Sequence, residues 1–160
     1  MCPEAELIVR VKEDYDGAQP SGNSVAILAL LRLADITGED RFQQTAEKSL
    51  EFFADRMDRS PYGAAYMLQA LDYWLDEPSR VVISGDPDSD QARELLYATY
   101  SVYQPTKVVL SNKGPVEELA RSINDREDSE AYICVGQTCK PPTNDPEKIR
   151  EMLRTARPTK

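Results

Sequence analysis

Histidine is absent from the 160 residues of this sequence, and its absence removes several kinds of active site at once. Ser-His-Asp and Cys-His nucleophile systems, imidazole metal ligands and a histidine general base all require that side chain. The glycine fingerprints of phosphate-binding loops are missing too, because neither G-x-G-x-x-G nor G-x-x-x-x-G-K-S/T occurs. The residues alone therefore contain no complete catalytic constellation, and no cofactor or metal is expected.

Long apolar runs and basic patches are also lacking. No run approaches the roughly 18 residues of a membrane-spanning helix, so no membrane partner is expected. The first ten residues lack the basic flank and apolar core of a signal peptide, which predicts a cytoplasmic protein. There are 19 basic against 28 acidic residues, and the net charge of −9 disfavours binding to nucleic acid.

Apolar periodicity predicts a helical part over residues 1–78. Residues 25–36 are almost entirely apolar, which predicts a helix that is buried on most sides and ends at Gly38. Further helices are predicted over residues 40–57 and 61–75, the second with Ser60 as its N-cap and Pro61 as its first residue. Because two largely apolar helices and one amphipathic neighbour cannot cover each other, we expect cover from the rest of the chain, a second copy or another polypeptide.

Residues 79–160 alternate between β-rich and helical runs. The segments RVVISG, TKVVLSN and EAYICVG are predicted strands, and predicted helices separate them. This alternation predicts a small three-stranded parallel sheet with crossover helices, so the predicted fold class is α+β. Tyr97, Tyr100 and Tyr103 recur at three-residue steps and are predicted to pack from one helix face.

Three segments carry a resemblance to a known family: Asp16-Gly17-Ala18, the run from Pro20 to Ser24, and the run from Cys134 to Pro142. Within a match from about residue 9 to 155, the chain resembles the C-terminal part of the thioredoxin-domain-containing family that includes spermatogenesis-associated protein 20. The resemblance implies an N-terminal thioredoxin-like domain, an α/α barrel of helical hairpins similar to six-hairpin glycosidases and N-acylglucosamine 2-epimerases, and a small α/β region.

The resemblance also sets expectations about function. The thioredoxin-like domain and most barrel hairpins have no counterpart in this chain, so the expected partner is that remainder, in cis or in trans, or a second copy. The leading expectation is a C-terminal module that packs against the barrel and lines its cleft, without a complete active site. One alternative is part of a carbohydrate-active enzyme with a carbohydrate ligand, and another is a redox-partner module.

The polar loop before residue 25 supplies the catalytic candidates Asp14, Asp16 and Asn23. Residues two apart in an extended segment point the same way, roughly 6 to 7 Å apart, so the two aspartates would lie on one wall of a cleft rather than flank a bond. A loop or turn role is therefore favoured over catalysis. The resemblance places Asp16 and Asn23, together with Gln19 and Ser21, near the barrel cleft.

Ser21 and Ser24 have a structural and a functional interpretation. Small polar residues at a helix start satisfy exposed backbone N–H groups, and Gly22 is expected to permit a tight approach. A helix start also favours anions, so Gln19, Ser21 and Ser24 are candidate ligand-binding residues. Capping is the favoured interpretation.

Two further motifs contain residue types that are found in chemical sites. The run DPDSD, residues 86–90, has acidic calcium-loop spacing but continues with Gln91 where glycine is needed, so helix capping is predicted. Cys134 and Cys139 could approach closely enough for a disulfide if a strand leads into a turn between them. A buried thiol with an unrelated neighbour is favoured over a redox or bridging pair.

Overall fold

The computed structural model describes residues 12–76, 78–124, 128–136 and 138–155. The helices in these ranges are Gly22–Thr37 (α1), Asp40–Arg59 (α2), Ala65–Leu75 (α3), Asp90–Ser101 (α4), Glu118–Ser122 (α5) and Pro146–Thr155 (α6). The strands are Ser79–Ser84 (β1), Val108–Ser111 (β2), Glu130–Val135 (β3) and Thr138–Cys139 (β4). A 3₁₀ turn, Pro61–Gly63, precedes α3. The predicted α+β class is confirmed.

The sheet is mixed, so the predicted three-stranded parallel sheet is wrong. The strand order is β2-β1-β3-β4; β2 runs parallel to β1, whereas β3 is antiparallel to both β1 and β4. A parallel direction usually requires a crossover helix that returns the chain along the sheet. The helix between β2 and β3, α5, has five residues and rises about 7 Å, so it is not a crossover helix of that kind.

The sheet lies between two layers of helices. Val82 and Leu110 face α1, α2 and α3 in one hydrophobic core, whereas Val81 and Ile133 face α4 and α6 in another. Alternate residues of a strand point to opposite faces, which is why neighbouring β1 valines belong to different cores. The parts predicted over 1–78 and 79–160 thus share a core, and their separability as domains stays a prediction.

Helix α1 is buried on one side only, so its predicted burial on most sides is wrong for this chain. Ile27, Leu28 and Leu31 are buried, but Val25 and Leu33 are 44% and 40% exposed. The helix ends as predicted at Gly38, whose φ of 71° is the left-handed conformation that glycine adopts readily.

The predictions for the other helices are confirmed in part. Helix α2 is confirmed, but Ser60 does not cap α3, because the 3₁₀ turn intervenes and the helix begins at Ala65. Tyr97, Tyr100 and Tyr103 are 75%, 63% and 91% exposed rather than packed, and Tyr103 lies beyond the end of α4. Within the described ranges, no helix has both the length and the apolar character needed to cross a membrane.

Candidate functional site

The carboxylate of Asp16 joins the starts of two helices. It accepts hydrogen bonds from the Ser21 N–H at 2.8 Å and the Ser24 hydroxyl at 3.1 Å, both at the start of α1. It also accepts from the N–H groups of Tyr66 and Met67, both at 2.9 Å, in the first turn of α3. These N–H groups lack partners within their helix, so Asp16 caps α3 in place of Ser60.

Asp16 is held as an anion by these contacts. Its side chain is 8% exposed, and burial by itself raises the pKa of the carboxyl. The hydrogen bonds from Ser21, Met67, Ser24 and Tyr66 outweigh burial, so the pKa lies below its usual value. A buried carboxylate that already accepts four hydrogen bonds is poorly placed to exchange protons with a substrate, and the geometry favours the structural interpretation.

Asp14 and Asp16 do not act on a common partner. The Asp14 carboxylate is half-buried and forms an ion pair with Arg56 Nε of α2 at 3.2 Å, whereas Asp16 is directed at α1 and α3. The backbone N–H of Asp16 donates to the Gly63 carbonyl at 2.8 Å, which fastens the loop to the 3₁₀ turn. Both aspartates therefore hold the loop against the helical layer, and their catalytic role stays a prediction.

The polar residues around the start of α1 follow the capping interpretation. Ser21 Oγ accepts from the Ser24 N–H at 3.1 Å, and both serines are buried. Gln19 is exposed. The expectation that Gly22 permits a tight approach is wrong for the described residues, none of which, beyond its chain neighbours and its own helix backbone, lies within 4 Å of the position a Cβ would take there. The anion-binding alternative for Gln19, Ser21 and Ser24 stays a prediction.

Asn23 lies beside a shallow pocket of about 490 Å³. Its side-chain amide donates to the Glu13 carbonyl at 2.6 Å, and Lys12, Lys48 and Phe52 contribute to the pocket lining. Lys12 Nζ lies 3.8 Å from the centre of the Phe52 ring. Of the three catalytic candidates, Asn23 is the one that the structure places at a described pocket, and its amide already fastens the loop.

Cys134 and Cys139 form a disulfide, so the favoured interpretation of unpaired thiols is wrong. They are opposite residues of the β3–β4 pair, and their Cα atoms are 4.0 Å apart. Opposite residues without mutual hydrogen bonds approach most closely in antiparallel strands, and a short hairpin creates that pairing here. Cys134 is fully buried and Cys139 is exposed. Cys2 lies outside the described residues.

The acidic run over residues 86–90 caps a helix, as predicted. Ser89 Oγ accepts from the Ala92 N–H at 3.1 Å at the start of α4, and Asp86 accepts from the Asp88 N–H at 3.0 Å. Within the ranges that the structure describes, three or more cysteine, aspartate or glutamate side chains do not come together as a metal-binding group.

A groove between α2 and α3 was not predicted from the sequence. It encloses about 640 Å³. Its apolar lining consists of Leu50, Ala54, Met57, Leu68, Leu71 and Trp74, with Pro61 at one end. Its charged lining consists of Glu47, Glu51 and Asp58. We call it the α2–α3 groove. Periodicity assigned these apolar residues to a core, but it carries no information on whether two helix faces meet.

A partly buried polar contact between α1 and α3 was missed as well. The Tyr73 hydroxyl donates to Asp35 Oδ2 at 2.5 Å. Burial raises the pKa of the Asp35 carboxyl, and the hydrogen bond from Tyr73 and the charge of Arg80 offset that effect only in part. Asp35 interrupts an apolar run, and that interruption is the sequence signal that could have indicated a buried partner.

Comparison with known proteins identifies relatives along nearly the whole chain. The chain is 35% identical to rat and 34% identical to human spermatogenesis-associated protein 20, over 95% of its length in both cases. It is 27% identical to an uncharacterized protein of Caenorhabditis elegans over 94% of its length. No family model and no solved structure matches. The chain spans about a fifth of these relatives' length, and the predicted resemblance is confirmed as a match to one region of spermatogenesis-associated protein 20.

Proposed function

We propose that this chain is a packing module without a complete active site, whose helical layer binds a further polypeptide. The α2–α3 groove carries this proposal, because a site of about 640 Å³ lined largely by apolar side chains lies open on the surface. Trp74 is 41% exposed there, and the neighbouring Leu75 is 68% exposed. Exposed apolar surface of this extent is typical of an interaction site.

The match to relatives about five times longer supports a partner polypeptide. In the more detailed form of the proposal, α1, α2 and α3 are a segment of an α/α barrel, and the loop around Asp16 lies at the rim of its cleft. The one-sided burial of α1 supports this form, because the exposed apolar residues Val25 and Leu33 on its outer side could pack against a further helix. A carbohydrate-active role has less support, because Asp16 already accepts four hydrogen bonds.

The packing function can be tested with the remainder of a relative. Human spermatogenesis-associated protein 20 would be expressed without the region that this chain matches and mixed with the full chain. We expect a one-to-one complex in size-exclusion chromatography with light scattering. The measurement requires no knowledge of any substrate.

Matched variants show whether the α2–α3 groove is the contact. Ala54→Asp adds a charge to the exposed groove lining, and Leu96→Asp adds the same charge to the exposed side of α4. We expect Ala54→Asp to weaken the complex at least tenfold, because a carboxylate would be buried without a partner. We expect Leu96→Asp to have little effect. A chain that stays monomeric in the mixture would contradict the packing function.

We propose a redox-partner role as the second candidate, on the basis of the Cys134–Cys139 disulfide. Cys139 is on the exposed two-residue strand β4, so its sulfur is the one that a partner can approach. A thiolate of a dithiol protein would attack Cys139 Sγ and release Cys134 as a thiolate. The partner's second thiolate would then displace Cys139, leaving two thiols in this chain and a disulfide in the partner.

Alkylation followed by mass spectrometry tests this second role. The chain has three cysteines, so the denatured protein should take up one alkyl group when Cys134 and Cys139 are bonded and three after reduction. We expect a thioredoxin-type dithiol protein to shift the native chain from one group to three, and an oxidant to reverse the shift. A disulfide that this dithiol reduces only after denaturation would rule out the redox role.

A further inference from the structure

The α2–α3 groove has a shape that fits one more helix. Both α2 and α3 pack against α1 and have little contact with each other, so a channel remains between them. The groove lining extends along α2 from Glu47 to Asp58, a stretch that rises about 16 Å. An occupant with one apolar face and about three helical turns would fill this length. Binding of an amphipathic helix in an apolar groove is a recurring mode of recognition.

The charges around the groove determine what kind of helix fits. The charged side chains of its described lining, Glu47, Glu51 and Asp58, are all acidic. Residues 61–78, which include α3, contain no lysine or arginine in the sequence. The Trp74 Nε1–H donates to Glu47 Oε1 at 3.1 Å, and this hydrogen bond holds the Glu47 carboxylate beside the groove. An occupant with acidic flanks would be repelled, whereas lysine or arginine flanks would be attracted.

A second copy of the chain does not provide such an occupant. Each copy has a net charge of −9, so two copies repel each other at long range. In the described residues, α6 is the helix with an excess of basic side chains, Lys148, Arg150 and Arg154 against Glu147 and Glu151. Its apolar face, Ile149 and Leu153, is already buried against α4 and the sheet. No helix of the described residues is therefore a suitable occupant, which favours a helix from outside them.

We propose, on the basis of the packing function proposed above, that the α2–α3 groove binds an amphipathic helix of another polypeptide whose apolar face is flanked by lysine or arginine side chains. The apolar residues of that helix contact Leu68, Leu71 and Trp74. Its basic side chains reach Glu51 and Asp58 at the groove edge. Burial of the apolar face supplies the affinity, and the charges supply the choice of partner.

Trp74 is the single tryptophan of the chain and lies in the groove, so its fluorescence reports directly on occupancy. The full chain would be titrated with a tryptophan-free peptide of about 14 residues that has leucines on one helical face and lysines beside them. A second peptide would have glutamate in place of every lysine. We expect the lysine peptide to change the Trp74 emission and to bind at least tenfold more tightly than the glutamate peptide. Its affinity should fall as salt is added.

A matched pair of variants separates the groove charges from the net charge. Glu51→Lys reverses a charge at the groove, and Glu94→Lys makes the same change in net charge on exposed α4. We expect Glu51→Lys to weaken binding of the lysine peptide about fivefold, a size typical of one rim charge, and Glu94→Lys to change it less than twofold. Equal effects of the two variants, equal affinity for the two peptides, or no response of Trp74 would each overturn the proposal.

Failure of this proposal is distinguishable from failure of the packing function. If the remainder of the relative forms a complex that Ala54→Asp weakens, while the lysine peptide does not bind, packing at the groove is retained and the basic helix is overturned. Unfolding curves of Glu51→Lys and Glu94→Lys show whether both variants remain folded at the temperature of the titration.

Discussion

A single side chain, Asp16, fastens parts of the chain that are 50 residues apart in sequence. It stabilises the first turns of α1 and α3 together, because it accepts from Ser21 and Ser24 on one side and from Tyr66 and Met67 on the other. A negative charge at a helix start is favoured by the exposed N–H groups and the helix dipole. The Asp16 carboxylate accepts hydrogen bonds from the first turns of two helices, and these bonds compensate for the cost of burying its charge.

Replacing Asp16 with asparagine should destabilise the fold. Asp16→Asn keeps the shape of the side chain but removes the charge that strengthens four hydrogen bonds, so we expect a loss of about 1 to 3 kcal/mol in the free energy of unfolding. Asp14→Asn is the matched control, since its partly exposed ion pair with Arg56 should contribute less than about 1 kcal/mol. Urea unfolding measures both, and equal losses would contradict the special role of Asp16.

The pH dependence of stability follows from the lowered pKa of Asp16. Because the folded-state pKa is below the unfolded value of about 3.9, the unfolded chain binds the proton more readily. The stabilisation from Asp16 is therefore complete above that value and is lost as pH falls through the folded-state pKa. We expect the stability difference between the natural chain and Asp16→Asn to shrink as the pH falls below about 4 in urea unfolding. A constant difference would show that the charge is not the cause.

Helix ends show a similar dependence on local geometry. Gly38 has a φ of 71°, and a Cβ there would lie 3.2 Å from the Glu117 Cβ, so Gly38→Ala should cost about 1 to 2 kcal/mol. Gly22, at the other end of α1, has no positive φ, and among the described residues none beyond its chain neighbours and its own helix backbone lies within 4 Å of a Cβ position. We expect Gly22→Ala to leave the midpoint of thermal unfolding unchanged or slightly higher. Equal effects of the two alanines would contradict this assignment.

The elements that the sequence predicted well are those whose own side chains determine them. Helix α2 and strands β1, β2 and β3 occur as predicted, because apolar spacing reports which face is buried. The direction of β3 was not predictable in this way, since a period of two is the same in both directions. The short helix α5 accords with the antiparallel direction, but helix boundaries are poorly determined by periodicity.

The candidate site was predictable only where its contacts are local. Capping by Ser21 was predictable because Ser21 lies three residues before Ser24, whose N–H donates to Ser21 Oγ. The bonds from Asp16 to α3 and the disulfide between Cys134 and Cys139 depend on tertiary placement or strand register, which spacing does not report. The α2–α3 groove is a further example, because it results from two helices packing on a third.

The whole molecule is joined by its sheet, which contributes to a core on each face. Val82 and Leu110 pack with Ile27 and Met67 of the helical layer, and Leu153 of α6 belongs to the core on the opposite face. Each helix layer buries its apolar residues against the same sheet, so loss of one layer exposes one face of the sheet. The two layers are therefore expected to unfold together. We therefore expect one cooperative transition rather than separate unfolding of residues 1–78 and 79–160.

Two substitutions far from Trp74 test that cooperativity. Leu110→Ala and Leu153→Ala each remove a buried side chain, on opposite faces of the sheet, and each should cost about 2 to 5 kcal/mol. In urea, Trp74 fluorescence reports on the helical layer and far-ultraviolet circular dichroism on the whole chain. Within each variant, the unfolding midpoints measured by the two probes should fall by the same amount. The control Leu96→Ala, at a residue that is 40% exposed, should change neither midpoint appreciably. If Leu153→Ala lowered the circular dichroism midpoint but left the Trp74 midpoint unchanged, the helical and α/β parts would be independent domains, and a partner could bind the helical layer without stabilising the sheet.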